Sequence, residues 1–212
     1  MNSSSLESLT WDVPVDFAEY TDPPNEPLAM ATRWLSDAIR KGAREPKSLT
    51  LGTSGRTGRS SLRTVACLGL DTRGLLFTTH SSSRKGQELA ETGWASGLFY
   101  WRELGRQLSL AGPVEQVDDA EADRLWADRA TGLYPMSIAS RQSDALSDPE
   151  LLRAEAARLT ANVQLLPRPD RFVGYRILPA EAEFWAAAPD RLHLRLRYAL
   201  GAQGWSFDRL QP

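Results

Sequence analysis

Residues 61–79 read Ser61-Leu62-Arg63-Thr64-Val65-Ala66-Cys67-Leu68-Gly69-Leu70-Asp71-Thr72-Arg73-Gly74-Leu75-Leu76-Phe77-Thr78-Thr79. Two apolar-rich runs, Ser61–Leu70 and Leu75–Thr79, flank Thr72-Arg73-Gly74, which reads as a hairpin loop. Neither run has a helical repeat, so both are predicted strands. The pattern continues on either side. Ser48–Thr53 precedes the pair, and Trp94–Trp101 and Gln107–Val117 follow it, separated by glycine-containing turns. Residues 84–92 predict a short helix that interrupts the strands. Upstream, Leu28, Ala31, Leu35, Ala38 and Ile39 recur at helical spacing over 28–41, and Lys41-Gly42 is a helix stop. Downstream, Asp118–Arg129 and Asp148–Asn162 predict helices, each opened by an aspartate suited to capping. The chain then returns to strands at Phe172–Leu178, Ala182–Ala186, Arg191–Leu200 and Trp205–Leu210. Many short strands, few helices and no βαβ alternation define an α+β class, mainly β: an antiparallel barrel with helical excursions.

At 212 residues the chain makes one large domain, or one domain with appendages, and can bury a core without a covalent staple. A net charge of -2 argues against a general nucleic-acid binder. Cys67 is the single cysteine, and His80 and His193 are the two histidines. That excludes an internal disulfide framework, a cysteine-pair zinc site and a multi-histidine metal centre, so no metal is expected. No apolar run approaches the roughly 18 residues of a membrane span. The opening residues lack the basic and apolar segments of a secretory signal, so the expected location is the cytoplasm. Residues 1–26 form an acidic arm with six carboxylates and no Lys or Arg, ending in the breaker cluster Asp22-Pro23-Pro24-Asn25-Glu26-Pro27. The arm reads as a disordered tail. Its aromatic content (Trp11, Phe17 and Tyr20, with Val13 and Val15) equally suits a segment folded over a basic surface or a partner subunit. Residues 27–212 are the expected folded domain.

Three stretches carry chemistry. Thr78-Thr79-His80-Ser81-Ser82-Ser83-Arg84-Lys85-Gly86 runs from a strand end into a helix. Hydroxyls, two cations and helix N-terminal amides together make an anion cradle, against the alternative of a solvated loop with an ordinary cap. His80 beside the serine run is not a triad, because adjacency in sequence is not the required geometry. Arg191-Leu192-His193-Leu194-Arg195-Leu196-Arg197 alternates strictly. On a strand, Arg191, His193, Arg195 and Arg197 share one face, which suits an anionic ligand or a plain solvent face. Arg63 is a lone cation entering an apolar strand, with no carboxylate near it in sequence; its other reading is a snorkelling rim residue.

These residues resemble the pyridoxamine 5′-phosphate oxidase family of FMN-dependent split-barrel proteins, from about residue 30 to the C-terminus. The most specific match is Glu183-Phe184-Trp185, followed by Arg191-Leu192-His193-x-Arg195 and Gly204-Trp205-x-x-x-Arg209-Leu210-x-Pro212. Arg63, Phe77-x-Thr79 with Ser83-Arg84-Lys85, Arg106-Gln107 and Gln142-Ser143 match in the same order. The resemblance implies a split β-barrel homodimer with FMN at the interface, and a dimerisation and substrate region over about 170–212. It implies that Arg63, Thr79, Arg84 and Lys85 hold the FMN phosphate and ribityl chain, with Thr78 in the same cradle. Gln107, Gln142, Ser143, Trp185 and Arg195 are implied to contact the flavin from both subunits. Arg191 and His193 match the pair that meets substrate beside the flavin ring, with His193 a candidate to move its proton.

The departures point to one branch. In the family's vitamin B6 oxidases a lysine stands where this chain has Leu68. A tyrosine, an arginine and a serine on the family's helix correspond to Leu125, Arg129 and Leu133. Only the arginine remains, so the second phosphate site is dismantled while the FMN set is kept. This profile resembles the flavin oxidases of phenazine biosynthesis. Their substrate is a flat, reduced tricycle bearing carboxylates, which suits Leu68 and Leu133 against rings and Arg129, Arg191 and His193 against charge. The competing readings are a pyridoxamine/pyridoxine 5′-phosphate oxidase and a non-catalytic flavin-binding split barrel.

Overall fold

In a computed structural model, residues 15–161 and 166–212 are described. Trp11 and Val13 of the acidic arm, and Asn162 at the end of the predicted fourth helix, lie outside them. In chain order the elements are α1 (Leu28–Arg40), β1 (Ser48–Ser54), β2 (Ser60–Ala66), β3 (Gly69–Asp71), β4 (Gly74–His80), α2 (Arg84–Thr92), β5 (Trp94–Trp101) and β6 (Arg106–Gln116). They continue with α3 (Asp119–Ala127), α4 (Tyr134–Ala139), α5 (Pro149–Thr160), β7 (Phe172–Ile177), β8 (Glu181–Ala186), β9 (Leu194–Gly201) and β10 (Gly204–Arg209).

All strand pairs are antiparallel. β1, β5, β6, β7 and β4 pair in succession, and β2 lies on the free edge of β1. The Leu68 amide donates to the Leu76 carbonyl at 2.8 Å, which ties the end of β2 to β4 and closes the ring. β6 is the fork of the split barrel. Its residues 106–111 pair with β8, whereas 114–116 pair with β7. Gly112 and Pro113 occupy the fork. A Cβ on Gly112 would stand 2.0 Å from the Leu178 carbonyl oxygen, so only glycine admits the crossing backbone. Proline has no N–H to leave unpaired where the partner strand changes. Beyond β8, strands β9 and β10 extend the sheet as a wing.

Apolar side chains fill the ring. Leu49, Leu51, Leu75, Phe77, Phe99, Leu108, Leu110 and Ile177 are fully buried. α1 joins this core through Met30, Trp34 and Leu35, with Trp34 edge-on to Phe184 at 5.1 Å. A second cluster of Trp126, Tyr134 and Phe172 lies between α3, α4 and β7. With a core on each side, β4 and β7 are buried along almost their whole length.

The predicted strand Ser61–Leu70 is two strands. The Cys67 amide still donates to the Lys47 carbonyl, one step further in the β1 register, but the Leu68 amide turns to the Leu76 carbonyl of β4, and the chain changes partner there. The predicted strand Arg191–Leu200 begins only at Leu194, and α4 is an element the sequence pattern does not announce. The described part of the acidic arm folds onto the body. Phe17 packs edge-on against Trp34 at 4.9 Å, and the Asp16 carbonyl accepts from Arg106. Arg209 donates to the Tyr20 and Thr21 carbonyls at 2.8 and 3.1 Å, and Tyr198 donates to the Pro24 carbonyl at 3.0 Å. Among the described residues, no helix is long and apolar enough to cross a membrane.

Candidate functional site

The stretch 78–86 builds a basic cradle. β4 delivers Thr79, and Ser83 caps α2 by accepting from the Gly86 amide at 3.3 Å. That capping places Arg84 and Lys85 in the first turn, where helix amides also face an anion. Lys85 Nζ donates to Thr79 Oγ1 at 3.0 Å, Gln142 Oε1 at 3.3 Å and Ser83 Oγ at 3.4 Å. Burial, and then the charge of Arg63, lower the Lys85 pKa. Gln142 and Ser143 arrive from the loop after α4. Gln142 Oε1 accepts from Thr79 Oγ1 at 2.9 Å, and Ser143 Oγ accepts from the Arg84 amide at 3.1 Å. Ser143 holds a left-handed backbone with φ 75°, a conformation that costs energy for a non-glycine residue. Thr78 precedes Thr79 on β4 and is half-buried; of the two, Thr79 carries the cradle's hydrogen bonds.

Arg63 reaches the cradle from β2. Nη1 donates to Thr53 Oγ1 at 2.5 Å and the Leu51 carbonyl at 3.3 Å. Nη2 donates to Ser61 Oγ at 2.5 Å and Glu88 Oε2 at 3.3 Å. The cation that looked unpaired in sequence therefore has a carboxylate, delivered by α2 from 25 residues away. Burial pushes the Glu88 pKa up, but hydrogen bonds from Ser61, Thr53, Arg84 and Arg63 outweigh it and bring it down to about 2. Glu88 stays ionised at physiological pH. Its i,i+4 spacing from Arg84 was the one local signal for it.

A second group lies on the wing. Gln107, Trp185 and Arg195 occupy one row across β6, β8 and β9. With Leu98, Ser109, Glu183 and Pro212 they line an open cavity of about 290 Å³. Arg195 pairs with Glu183 at 2.8 Å and donates to the Gln211 carbonyl at 3.0 Å; Arg197 pairs with Asp208 at 3.2 Å. The expected four-membered cationic face is thus corrected on two counts. Arg195 and Arg197 have intrachain carboxylates, and Arg191 and His193 sit on a turn before the strand. The turn follows from Arg191, whose φ is 67° and whose backbone N–H donates to the Ala188 carbonyl at 3.0 Å.

His193 packs on Trp185, ring centroids 4.8 Å apart. The Ala188 amide donates to its Nδ1 at 3.1 Å, so the neutral ring carries its proton on Nε2. Burial and then Arg191 lower its pKa and favour the neutral ring, against an opposing pull from Asp190.

The third group sits behind the cradle. Arg129 lies over the Phe172 and Trp126 rings at 4.9 and 5.3 Å and donates to Ser137 Oγ at 3.0 Å. Leu133 and Leu68 are exposed. Leu125 instead packs inward: a Cβ on Gly174 would stand 2.9 Å from its Cδ1. Between Arg129 and the cradle lies His80, a residue whose part here the sequence did not suggest. Burial, then Arg171, Lys85 and Arg129, push its pKa down to about 4. Neither ring nitrogen makes a well-formed hydrogen bond, and the Ser137 backbone only partly favours the charged form. A neutral, buried ring without a carboxylate partner is no part of a triad.

The chain therefore brings together Arg63, Thr79, Arg84, Lys85, Gln142 and Ser143, with Arg129 behind them. Separately it brings together Gln107, Trp185, Arg195 and His193, with Arg191 on the adjoining turn. No cluster of three or more His, Cys, Asp or Glu residues suited to a metal ion is present among the described residues.

A split barrel with a basic cradle and a polar wing is the architecture of a known family. The chain belongs to the pyridoxamine 5′-phosphate oxidase family: that family's model matches residues 35–186, and the model for the pyridoxine 5′-phosphate oxidase C-terminal dimerisation region matches residues 172–212. Within the family it is similar to proteins named dihydrophenazinedicarboxylate synthase. The Burkholderia lata protein is 53% identical and the Pseudomonas chlororaphis protein 44% identical, each alignment covering 100% of both chains. The crystal structure of PhzG from Burkholderia lata 383 in complex with tetrahydrophenazine-1-carboxylic acid superposes with a TM-score of 0.93 at 52% identity. That match covers 95% of this chain and 100% of the other.

Proposed function

We propose that the protein is an FMN-dependent oxidase that takes two electrons from a reduced, carboxylated phenazine precursor, with dioxygen as the acceptor. The observation that carries this reading is the contrast between two sites. Arg63, Arg84 and Lys85 converge on one cradle, whereas Leu68 and Leu133, at positions where the family's vitamin B6 oxidases carry phosphate donors, are exposed leucines, and Leu125, at a third such position, packs inward. The full-length similarity to dihydrophenazinedicarboxylate synthases supports the same branch.

The donor set fits FMN. Three cations, the α2 amides and the Thr79 and Ser83 hydroxyls suit a terminal phosphate dianion. Gln142 and Ser143 border the same space, and Gln107, Trp185 and Arg195 offer a wall for a ring system. When bound, the flavin supplies the redox chemistry: it takes an electron pair from substrate and delivers it to dioxygen. The protein supplies position and charge. Arg191 meets a substrate carboxylate. His193 presents Nε2–H as a donor beside it, because Nδ1 is committed to the Ala188 amide. That geometry favours orienting the substrate over taking its proton. Arg129 offers a second cation and Leu68 and Leu133 offer apolar surface.

Anaerobic mixing tests the reading. A reduced phenazine dicarboxylate is expected to bleach the flavin absorbance within the mixing experiment, and pyridoxamine phosphate to bleach it far more slowly. The reverse order would replace this reading with a vitamin B6 oxidase. No bleaching by either would favour a flavin-storage protein.

The cavity on the wing is lined by none of the cradle residues, and residues 172–212 match a dimerisation region. We therefore place the cofactor at the interface of a homodimer, each copy completing the other's site. A ligand bridging two chains favours the associated state, so holo protein should remain dimeric at dilutions where apo protein dissociates. Light scattering over a dilution series measures this, and a monomeric holo protein contradicts it.

A further inference from the structure

A phosphate site has no need of a negative charge, yet the cradle contains one. Glu88 is only 8% exposed, and both its oxygens are engaged. Oε2 accepts from Thr53 Oγ1 at 2.5 Å, Ser61 Oγ at 2.6 Å and Arg63 Nη2 at 3.3 Å; Oε1 accepts from Arg84 Nε at 2.8 Å. These partners come from β1, β2 and α2, so one carboxylate links the three elements that surround the anion space.

Two physical effects follow. The first is order. The Arg84 side chain is 62% exposed, and an arginine left free would lose rotamer entropy each time it closed on a ligand. Glu88 holds its Nε and leaves the two terminal nitrogens available. Arg63 is held likewise, through Thr53 and Ser61, which Glu88 itself orients. The second is charge. Arg63, Arg84 and Lys85 repel one another at close quarters. Glu88 reduces their three positive charges to a net of two, which balances a phosphomonoester, whose charge is about -1.5 to -2 at neutral pH.

We propose that Glu88 is a positioning residue for the cofactor phosphate, fixing Arg63 and Arg84 in the geometry that accepts a phosphomonoester and matching the cradle's charge to it. The proposal rests on the FMN reading above. It also makes a prediction of definite sign. Coulomb's law alone says that removing a carboxylate beside a phosphate tightens binding. Positioning says that it loosens binding.

The test titrates the full chain, freed of flavin, with FMN and with riboflavin, following flavin fluorescence. Wild type, Glu88→Gln and Glu88→Ala are compared. Glu88→Ala is expected to weaken FMN at least tenfold while riboflavin affinity stays within twofold, so that the preference for the phosphorylated flavin collapses. Glu88→Gln retains an acceptor and should lose at least threefold of that preference. A loss from general misfolding would weaken both flavins alike, and circular dichroism identifies it; Glu88→Gln, nearly isosteric, then carries the decision. An unchanged or increased FMN preference in Glu88→Gln overturns the proposal. A wild-type protein with no preference for FMN over riboflavin overturns the cofactor reading instead.

Discussion

Flavin is expected to leave the protein when Arg63 and Lys85 are both replaced by alanine. Each supplies charge-assisted hydrogen bonds, worth roughly 1.5–3 kcal/mol each. Losing one from each residue should weaken FMN about a hundredfold to ten-thousandfold. The two changes act from different elements, Arg63 from β2 and Lys85 from the first turn of α2. Neither removes the fold's own support. Glu88 keeps Thr53, Ser61 and Arg84 after Arg63 is lost, and Thr79 keeps Gln142 after Lys85 is lost. The flavin-to-protein ratio after gel filtration is the measurement. A double variant that emerges with stoichiometric flavin removes the cradle from the argument.

Substrate choice is expected to follow charge placement. Arg191→Ala should weaken a carboxylated reduced phenazine about tenfold to a hundredfold, the loss of one charge-assisted hydrogen bond, while FMN stays bound. The backbone at Arg191 is left-handed, so alanine is no better suited to that turn than arginine. A loss of affinity would then report the guanidinium. Leu68→Lys should improve use of pyridoxamine phosphate at the expense of the phenazine. Leu68 is 40% exposed, so a lysine there is not forced into the core. Steady-state kinetics on both substrates decide the matter. Efficient wild-type turnover of pyridoxamine phosphate, with no flavin reduction by the phenazine, would reverse the assignment.

Features written in neighbouring residues were legible before any tertiary structure. Asp118 and Asp148 cap α3 and α5 as their sequence context predicts, because a cap needs only its own side chain and the next amides. The cradle from Thr79 to Gly86 was legible for the same reason. Its cations follow a strand end and a capping serine within a few positions. α4 was hidden because it is six residues long and owes its place to Tyr134 stacking on Trp126 at 4.6 Å, a contact no local pattern encodes. The strand break at Cys67-Leu68 was hidden because apolar character continues across it, and only the partner of the Leu68 amide changes. The alternation from Arg191 to Arg197 misled in the opposite way. It runs unbroken through a turn, so periodicity alone assigned a strand three residues before β9 begins.

By itself, then, the sequence determined the class of the fold, the helix starts, the chemistry of the cradle and the departures at Leu68, Leu125 and Leu133. The first three rest on composition, on period and on contacts a few residues long; the departures rest on the resemblance to the family. The tertiary structure alone decided which charges meet. It brought Glu88 to Arg63 and Gln142 to Thr79, gave Arg195 and Arg197 their carboxylates, and turned Leu125 inward while Leu68 stayed exposed. Such pairings join residues far apart in sequence through the barrel's hydrogen-bonded register, and register depends on how whole strands pack, not on any one stretch.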